Sequence, residues 1–289
     1  PNTTSVNTID YNTIEIQSNS VDFGDLVAAT SRPGAVSDRT RYVNMGGDDP
    51  GTLNTIQFVS VSSTGNTSDF GDISASNVAR AGYSANDRTR GVFGGGGTPQ
   101  NTNVLHYITI QSTGNSVDYG DLTSEPGQYR MGNVASTTRG LLMGLYAPGG
   151  DSHANHNTIE FITIATLGNS VDFGDLTTTA SNTASSSNSV RAIRLGKWPT
   201  NDMIDFVTIA TLGNAIDFGD LAASVYDTTS AANSTRILQI SGNGPVAPVY
   251  VTNTITFVEI ATTGNSKDFG DVTQARRGLM SNSNGHGGL

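Results

Sequence analysis

The chain has 289 residues (30.1 kDa), 35% of them hydrophobic and only 14% charged, with 34 glycines and an abundance of Ser, Thr and Asn. This composition suits short strands and tight turns and argues against long surface helices, which are rich in Glu, Lys, Arg and Leu; nor is there an apolar run of roughly 18 residues that would cross a membrane as a helix. A net charge of −10 repels phosphate backbones, so neither nucleic acid nor membrane insertion is expected, and the absence of cysteine removes disulfides, thiolate nucleophiles and thiolate metal sites.

The first predicted element is a hairpin over Thr8–Leu26. A strand carrying Tyr11 leads through Ser18-Asn19 into a returning strand with Asp22-Phe23-Gly24-Asp25. A segment of small residues follows, then an apolar run led by Arg41 and ending at Gly46-Gly47. The series then repeats. The Asp-aromatic-Gly-Asp string recurs from Asp69, Asp118, Asp172, Asp217 and Asp268, at intervals of 47, 49, 54, 45 and 51 residues. Its leading strand carries Phe58, Tyr107, Phe161, Phe206 and Phe257, each 12 residues before the aromatic of the string, as Tyr11 stands before Phe23. A register held six times marks each pair as one rigid unit.

In the fourth copy the leading strand reads Asn157-Thr158-Ile159-Glu160-Phe161-Ile162-Thr163-Ile164, β-branched and alternating. Gly-Asn follows it in five copies (Gly65-Asn66, Gly114-Asn115, Gly168-Asn169, Gly213-Asn214, Gly264-Asn265) and predicts a tight hairpin turn. Arg-led runs recur from Arg90, Arg139, Arg191 and Arg236. With the small-residue segments (such as Val78 to Ser84) read as strands, each repeat has four strands, a to d.

Four strands in 45 to 50 residues, repeated without helices, are the footprint of a β-propeller blade. The first hairpin has no a or b strand before it, and the last a-like segment, Thr273 to Ser281, has no c or d strand after it. The expected fold is therefore an all-β, six-bladed β-propeller with four antiparallel strands per blade. It forms one domain over 1–289, with repeats ending near 26, 73, 122, 176, 221 and 272. A composite blade (273–289 plus 7–26) would close it and leave no open sheet edge.

Asp-Phe-Gly-Asp does not read as a kinase motif, because the Gly-rich loop, strand Lys and His-Arg-Asp are missing. It offers two close oxygen side chains where a calcium loop usually brings three or more. The expected role is structural. The aromatic packs between blades and the glycine permits a bulge. The carboxylates (Asp22 and Asp25, Asp69 and Asp72, Asp118 and Asp121, Asp172 and Asp175, Asp217 and Asp220, Asp268 and Asp271) accept turn N–H groups or pair with Arg41, Arg90, Arg139, Arg191 and Arg236. The run Gly94–Gly97 lacks a following Lys-Ser/Thr and is no phosphate cradle. His153 and His156 fall in a polar loop, where a surface role is expected over metal ligation. No catalytic constellation, metal site or cofactor is expected.

Variation concentrates between strands b and c. From the strand-b arginine to the strand-c aromatic the intervals are 17, 17, 22, 15 and 21 residues, and the b–c segments hold aromatics outside every repeat column: Tyr146, Trp198 and Tyr250. Variable loops on a constant scaffold are where recognition concentrates. The candidate binding residues are Trp198, Tyr146, Tyr250, Lys197, His153 and His156.

An Arg-led apolar strand ending in a glycine pair (Gly46-Gly47, Gly94-Gly95) resembles the kelch repeat of galactose-oxidase-type propellers. The fuller string, Thr-Arg-Gly, Thr-Ile-Ala-Thr and Gly-Asn before Asp-Phe-Gly-Asp-Leu, resembles repeats of virion and tail-fibre proteins of marine tailed bacteriophages. This resemblance implies a structural or adhesive role on the virion, with other virion proteins or a host cell-surface glycan or protein as partner. The alternative is a secreted bacterial carbohydrate-binding lectin.

Overall fold

The computed structural model describes residues 5–48, 51–74, 82–96, 102–123, 132–147, 154–198, 201–244 and 251–283. Among them are strands and turns with no helix, arranged as a β-propeller. Five sheets each have four antiparallel strands in the order a-b-c-d. The first blade is β3 (Gly34–Ser37), β4 (Arg41–Met45), β5 (Thr55–Ser60) and β6 (Ser68–Asp72). The second is β7 (Tyr83–Asn86), β8 (Arg90–Gly94), β9 (Val104–Thr109) and β10 (Val117–Asp121), and the third is β11 (Gly132–Ala135), β12 (Arg139–Ala147), β13 (Ala154–Thr163) and β14 (Val171–Ala180). The fourth is β15 (Ala184–Ser187), β16 (Arg191–Lys197), β17 (Asn201–Thr208) and β18 (Ile216–Asp220). The fifth is β19 (Thr229–Ala232), β20 (Arg236–Asn243), β21 (Val251–Glu259) and β22 (Lys267–Asp271). In the second blade strand a is Tyr83–Asn86, and the expected start at Val78 lies outside the described residues.

A sixth four-stranded sheet is not among the described residues. The N-terminal hairpin, β1 (Val6–Tyr11) and β2 (Val21–Thr30), forms a two-stranded sheet. Residues 273–283 carry no strand, and no strand b lies beside them among the described residues.

Successive sheets bury apolar clusters between them. Phe70 and Ile73 of the first blade meet Phe93, Ile108 and Ile110 of the second, and Tyr119 and Leu122 of the second meet Leu142, Ile162 and Ile164 of the third. The expectation that the string's aromatic packs between blades therefore holds. The aromatic also meets the strand-c ring of its own blade edge-on, as in Phe58–Phe70 at 5.9 Å and Phe257–Phe269 at 6.1 Å.

The glycine of each string sits at a register shift between strands c and d, as predicted, with φ between 144° and 152°. It is needed for a second reason. A Cβ on Gly71 would lie 2.4 Å from the carbonyl oxygen of Gly114 in the next blade, and one on Gly24 would lie 2.3 Å from that of Gly65. Only glycine lets the two backbones come this close.

The Gly-Asn pair is not the two-residue turn expected from its composition. In the first blade the c–d connection spans 61–67, and the pair reaches across to the preceding sheet. Gly65 N–H donates to Phe23 O (2.8 Å), Thr67 N–H donates to Asp25 O (2.9 Å), and Asn66 Oδ1 accepts from Asp25 N–H (3.0 Å). The same clasp joins every successive pair of blades. It also joins the fifth blade to the N-terminal hairpin, where Asn19 Oδ1 accepts from Asp271 N–H (3.0 Å) and Ser20 N–H donates to Asp271 O (2.8 Å).

Candidate recognition face

The strand-b arginines form a constant part of the scaffold, but not through the string aspartates. Each guanidinium lies over the strand-c ring of its own blade at 4.5–4.9 Å: Arg41 over Phe58, Arg90 over Tyr107, Arg139 over Phe161, Arg191 over Phe206 and Arg236 over Phe257. Nη1 of the first four then donates to the carbonyl just past strand c of the following blade: Arg41 to Ile110 O (3.1 Å), Arg90 to Ile164 O (2.9 Å), Arg139 to Ile209 O (2.8 Å) and Arg191 to Ile260 O (2.9 Å). Among the described residues no ion pair joins these arginines to Asp22, Asp25, Asp69, Asp72, Asp118, Asp121, Asp172, Asp175, Asp217, Asp220, Asp268 or Asp271. The first aspartate of every string is exposed, and the second contributes its backbone to the clasp. Arginine wins here because its planar cation can stack and donate at the same time.

Sequence reasoning missed a polar column: Asp10, Gln57, His106, Glu160, Asp205 and Thr256, each one residue before the strand-c aromatic. It was legible as a polar residue recurring at one fixed place in an apolar strand. Most of its members receive the residue that follows the string's Asp-Leu/Ile in the preceding blade. Gln57 Oε1 accepts from Val27 N–H (2.9 Å), Glu160 Oε2 from Thr123 N–H (3.2 Å) and Asp205 Oδ1 from the Thr177 hydroxyl (2.7 Å). Arg194 is fully buried and pairs with Asp205 at 2.5 Å, the one fully buried ion pair among the described residues.

The b–c and d–a connections share one face. The expected long loops are partly ladder here, because strands b and c of the third to fifth blades extend outward as hairpins. Tyr146 lies in β12 opposite Asn155, and His156 lies in β13 opposite Leu145, so His156 is an exposed strand residue rather than a loop residue. His153 and Tyr250 lie outside the described residues.

Trp198 is 45% exposed. Its N–H donates to Ser181 O (2.8 Å), and its carbonyl accepts from Asn155 Nδ2 of the third blade (3.2 Å). Its ring leans on Tyr226, from the d–a connection to the fifth blade, with centroids 4.9 Å apart and planes at 56°. Trp198 therefore touches its neighbour and still stays nearly half exposed. Tyr226 escaped sequence reasoning because it lies outside the b–c segments. Lys197 does not join this surface as a free cation. It is buried, its ammonium donates to Thr178 Oγ1 (2.5 Å) and Thr179 O (3.1 Å), and burial followed by repulsion from Arg194 lowers its pKa.

At the centre of this face four residues adopt positive φ: Asn182 (52°), Asp227 (56°), Gly278 (72°) and Arg32 (55°). They are linked in series. Asp227 N–H donates to Asn182 O (3.0 Å), Gly278 N–H to Asp227 O (3.5 Å) and Arg32 N–H to Gly278 O (3.0 Å). Three non-glycine residues held in this conformation mark the channel mouth as a place where strain is kept. Below it the channel is lined by strand a and by Met280–Ser283, where Ser283 Oγ donates to Ala232 O and Ser37 Oγ donates to Ser283 O (2.8 Å). Among the described residues no three His, Asp or Glu side chains converge on one point.

No protein-family profile matches the chain, and no curated protein matches it.

Proposed function

We propose that the protein is a non-enzymatic binding scaffold: a propeller whose sixth blade is composite, with β1 and β2 outside and residues 273–283 inside. Its b–c and d–a face meets the partner. The Asp-Phe-Gly-Asp-Leu repeats favour a bacteriophage virion or tail-fibre component, engaging a host cell-surface glycan or protein or another virion protein. The observation that carries this reading is the Trp198–Tyr226 pair. It is an exposed aromatic platform on the variable face, while the rest of the repeat is committed to holding blades together. The composite blade is supported by the Asn19–Asp271 clasp and by the chain of positive-φ residues through Gly278.

The same platform supports the second reading, a secreted bacterial lectin, because sugar rings stack on such faces. Binding of the purified protein to a glycan array and to intact host bacteria, with Trp198→Ala alongside, tests both readings. Host binding lost in the variant, together with antibody labelling of virions, supports the virion reading. Tight glycan binding without virion labelling supports the lectin. Unchanged binding by the variant removes the platform from either role.

A further inference from the structure

On the c–d side of the ring the repeat is its own control for what folding requires, because three columns there are exposed in every copy. The residue before the Gly-Asn pair is Thr64, Thr113 or Thr263 in three blades, but Leu167 and Leu212 in the third and fourth. The residue before the Asp-aromatic-Gly-Asp string is Ser68 or Lys267 in the first and fifth blades, but Val117, Val171 and Ile216 in the second to fourth. The carbonyl that accepts the N–H just past strand c belongs to Thr40, Thr89, Thr138 or Thr235, but to Val190 in the fourth blade. The same backbone contacts form around polar residues elsewhere, so the fold does not call for apolar side chains in these columns.

The apolar members gather in one arc. Gly168 N–H donates to Tyr119 O (3.0 Å), which sets Leu167 beside the start of the second blade's strand d, where Val117 lies. Gly213 N–H donates to Phe173 O (3.0 Å) and sets Leu212 beside Val171 and Asp172 in the same way. Ile209 N–H donates to Val190 O (2.9 Å), so the a–b turn of the fourth blade borders the connection that carries Leu212. All six apolar residues are 50–59% exposed. Such an arc on an otherwise polar rim marks an interaction surface, at the opposite end of the blades from Trp198.

Charge and edge geometry narrow the occupant. Exposed Asp118, Asp172 and Asp217 directly follow Val117, Val171 and Ile216, and none has an ion-pair partner among the described residues. No Lys or Arg of the third and fourth blades is exposed among those residues. A second copy, itself of net charge −10, would set carboxylate against carboxylate. An added strand finds the outer edges taken. Tyr119 O, Asp121 O, Phe173 O and Asp175 O already accept from the clasps, and the Asp121 and Asp175 amides donate to Asn169 and Asn214.

We propose that this arc docks a basic amphipathic α-helix of a partner protein. Its apolar stripe packs on Leu167, Val171 and Leu212, and its Lys or Arg residues meet Asp118, Asp172 and Asp217. The docking surface is separate from the Trp198–Tyr226 platform and stands without it.

The probe is a labelled leucine–lysine peptide of about 18 residues with the leucines on one helical face. It is titrated into the full chain at about 0.15 M salt and followed by fluorescence polarisation. Saturable binding is expected, weakened about tenfold by Leu167→Ser combined with Leu212→Ser. Asp172→Asn combined with Asp217→Asn should also weaken it, whereas Trp198→Ala and Val21→Ser, across the ring, should leave it unchanged. All of these side chains are exposed, so melting temperatures close to the parent's are expected. No binding, equal binding of a scrambled peptide, or equal binding by the double leucine variant overturns the proposal. A dimer of the parent chain in sedimentation that the double leucine variant dissolves assigns the arc to a second copy and also overturns it.

Discussion

Asn115 Oδ1 accepts the backbone N–H of Asp72 at 3.0 Å across the boundary between the first and second blades. The same Asn-to-Asp contact recurs at every described blade boundary, including that between the last blade and the first hairpin, beside the two backbone hydrogen bonds of each clasp. Asn115→Ala leaves the Asp72 amide without this acceptor. It is expected to cost about 1 kcal/mol in denaturant unfolding, and Asn115→Asp, which keeps the acceptor oxygen, is expected to cost less.

Gly71→Ala tests the close approach of adjacent sheets. The new methyl would meet Gly114 O at 2.4 Å, and the backbone would keep a φ of 149°. A loss on the order of 1–3 kcal/mol is expected. Gly51→Ala is the contrast, since a methyl there meets nothing within 4 Å, and its stability should stay within about 0.5 kcal/mol of the parent chain.

The repeat, its strand order and its bulge were legible because they follow from spacing and residue type. The 12-residue interval fixes a hairpin, and glycine at one column marks a bulge. The use of Gly65-Asn66 was not legible. Residues that tolerate positive φ suit a turn, and nothing local shows that Asn66 turns to Asp25, 41 residues away in sequence. Opposite charge makes a string aspartate one expected partner of Arg90, yet its partners are a ring in its own blade and a carbonyl 74 residues on. Both partners are set by how sheets stack, and local sequence carries no record of stacking. At the recognition face, Trp198 stood out as the sole tryptophan, whereas Tyr226 gains meaning only once the d–a connection is placed beside it.

Arg139→Lys separates charge from shape. Arg139 lies 4.9 Å over Phe161 and donates to Ile209 O at 2.8 Å. Lysine keeps the charge but cannot form the planar stack and the fork together, so a cost of about 1 kcal/mol is expected by thermal unfolding. A neutral Arg139→Lys would show that charge alone matters.

His106 gives the pH dependence a direction. It is 3% exposed, its Nε2 has no hydrogen-bond partner among the described residues, and burial lowers its pKa against a weaker opposing pull from Asp118. The unfolded chain therefore takes up a proton at higher pH than the folded one, and stability falls as pH drops from about 7.5 through the ordinary histidine value near 6.5. Melting temperatures of the parent and His106→Gln between about pH 7.5 and 5.5 should show a shallower slope in the variant. Parallel slopes would assign the dependence to other groups.

Closure of the ring by the N-terminal hairpin is reported most directly by the Ser20 amide. Its partner is Asp271 O at 2.8 Å, matching Ser116 to Asp72 O (2.9 Å) and Ser266 to Asp220 O (2.8 Å) at boundaries between complete blades. Residue-resolved hydrogen exchange should find Ser20 protected to the same degree as Ser116 and Ser266. A Ser20 amide that exchanges like a free chain while the other two stay protected would contradict closure.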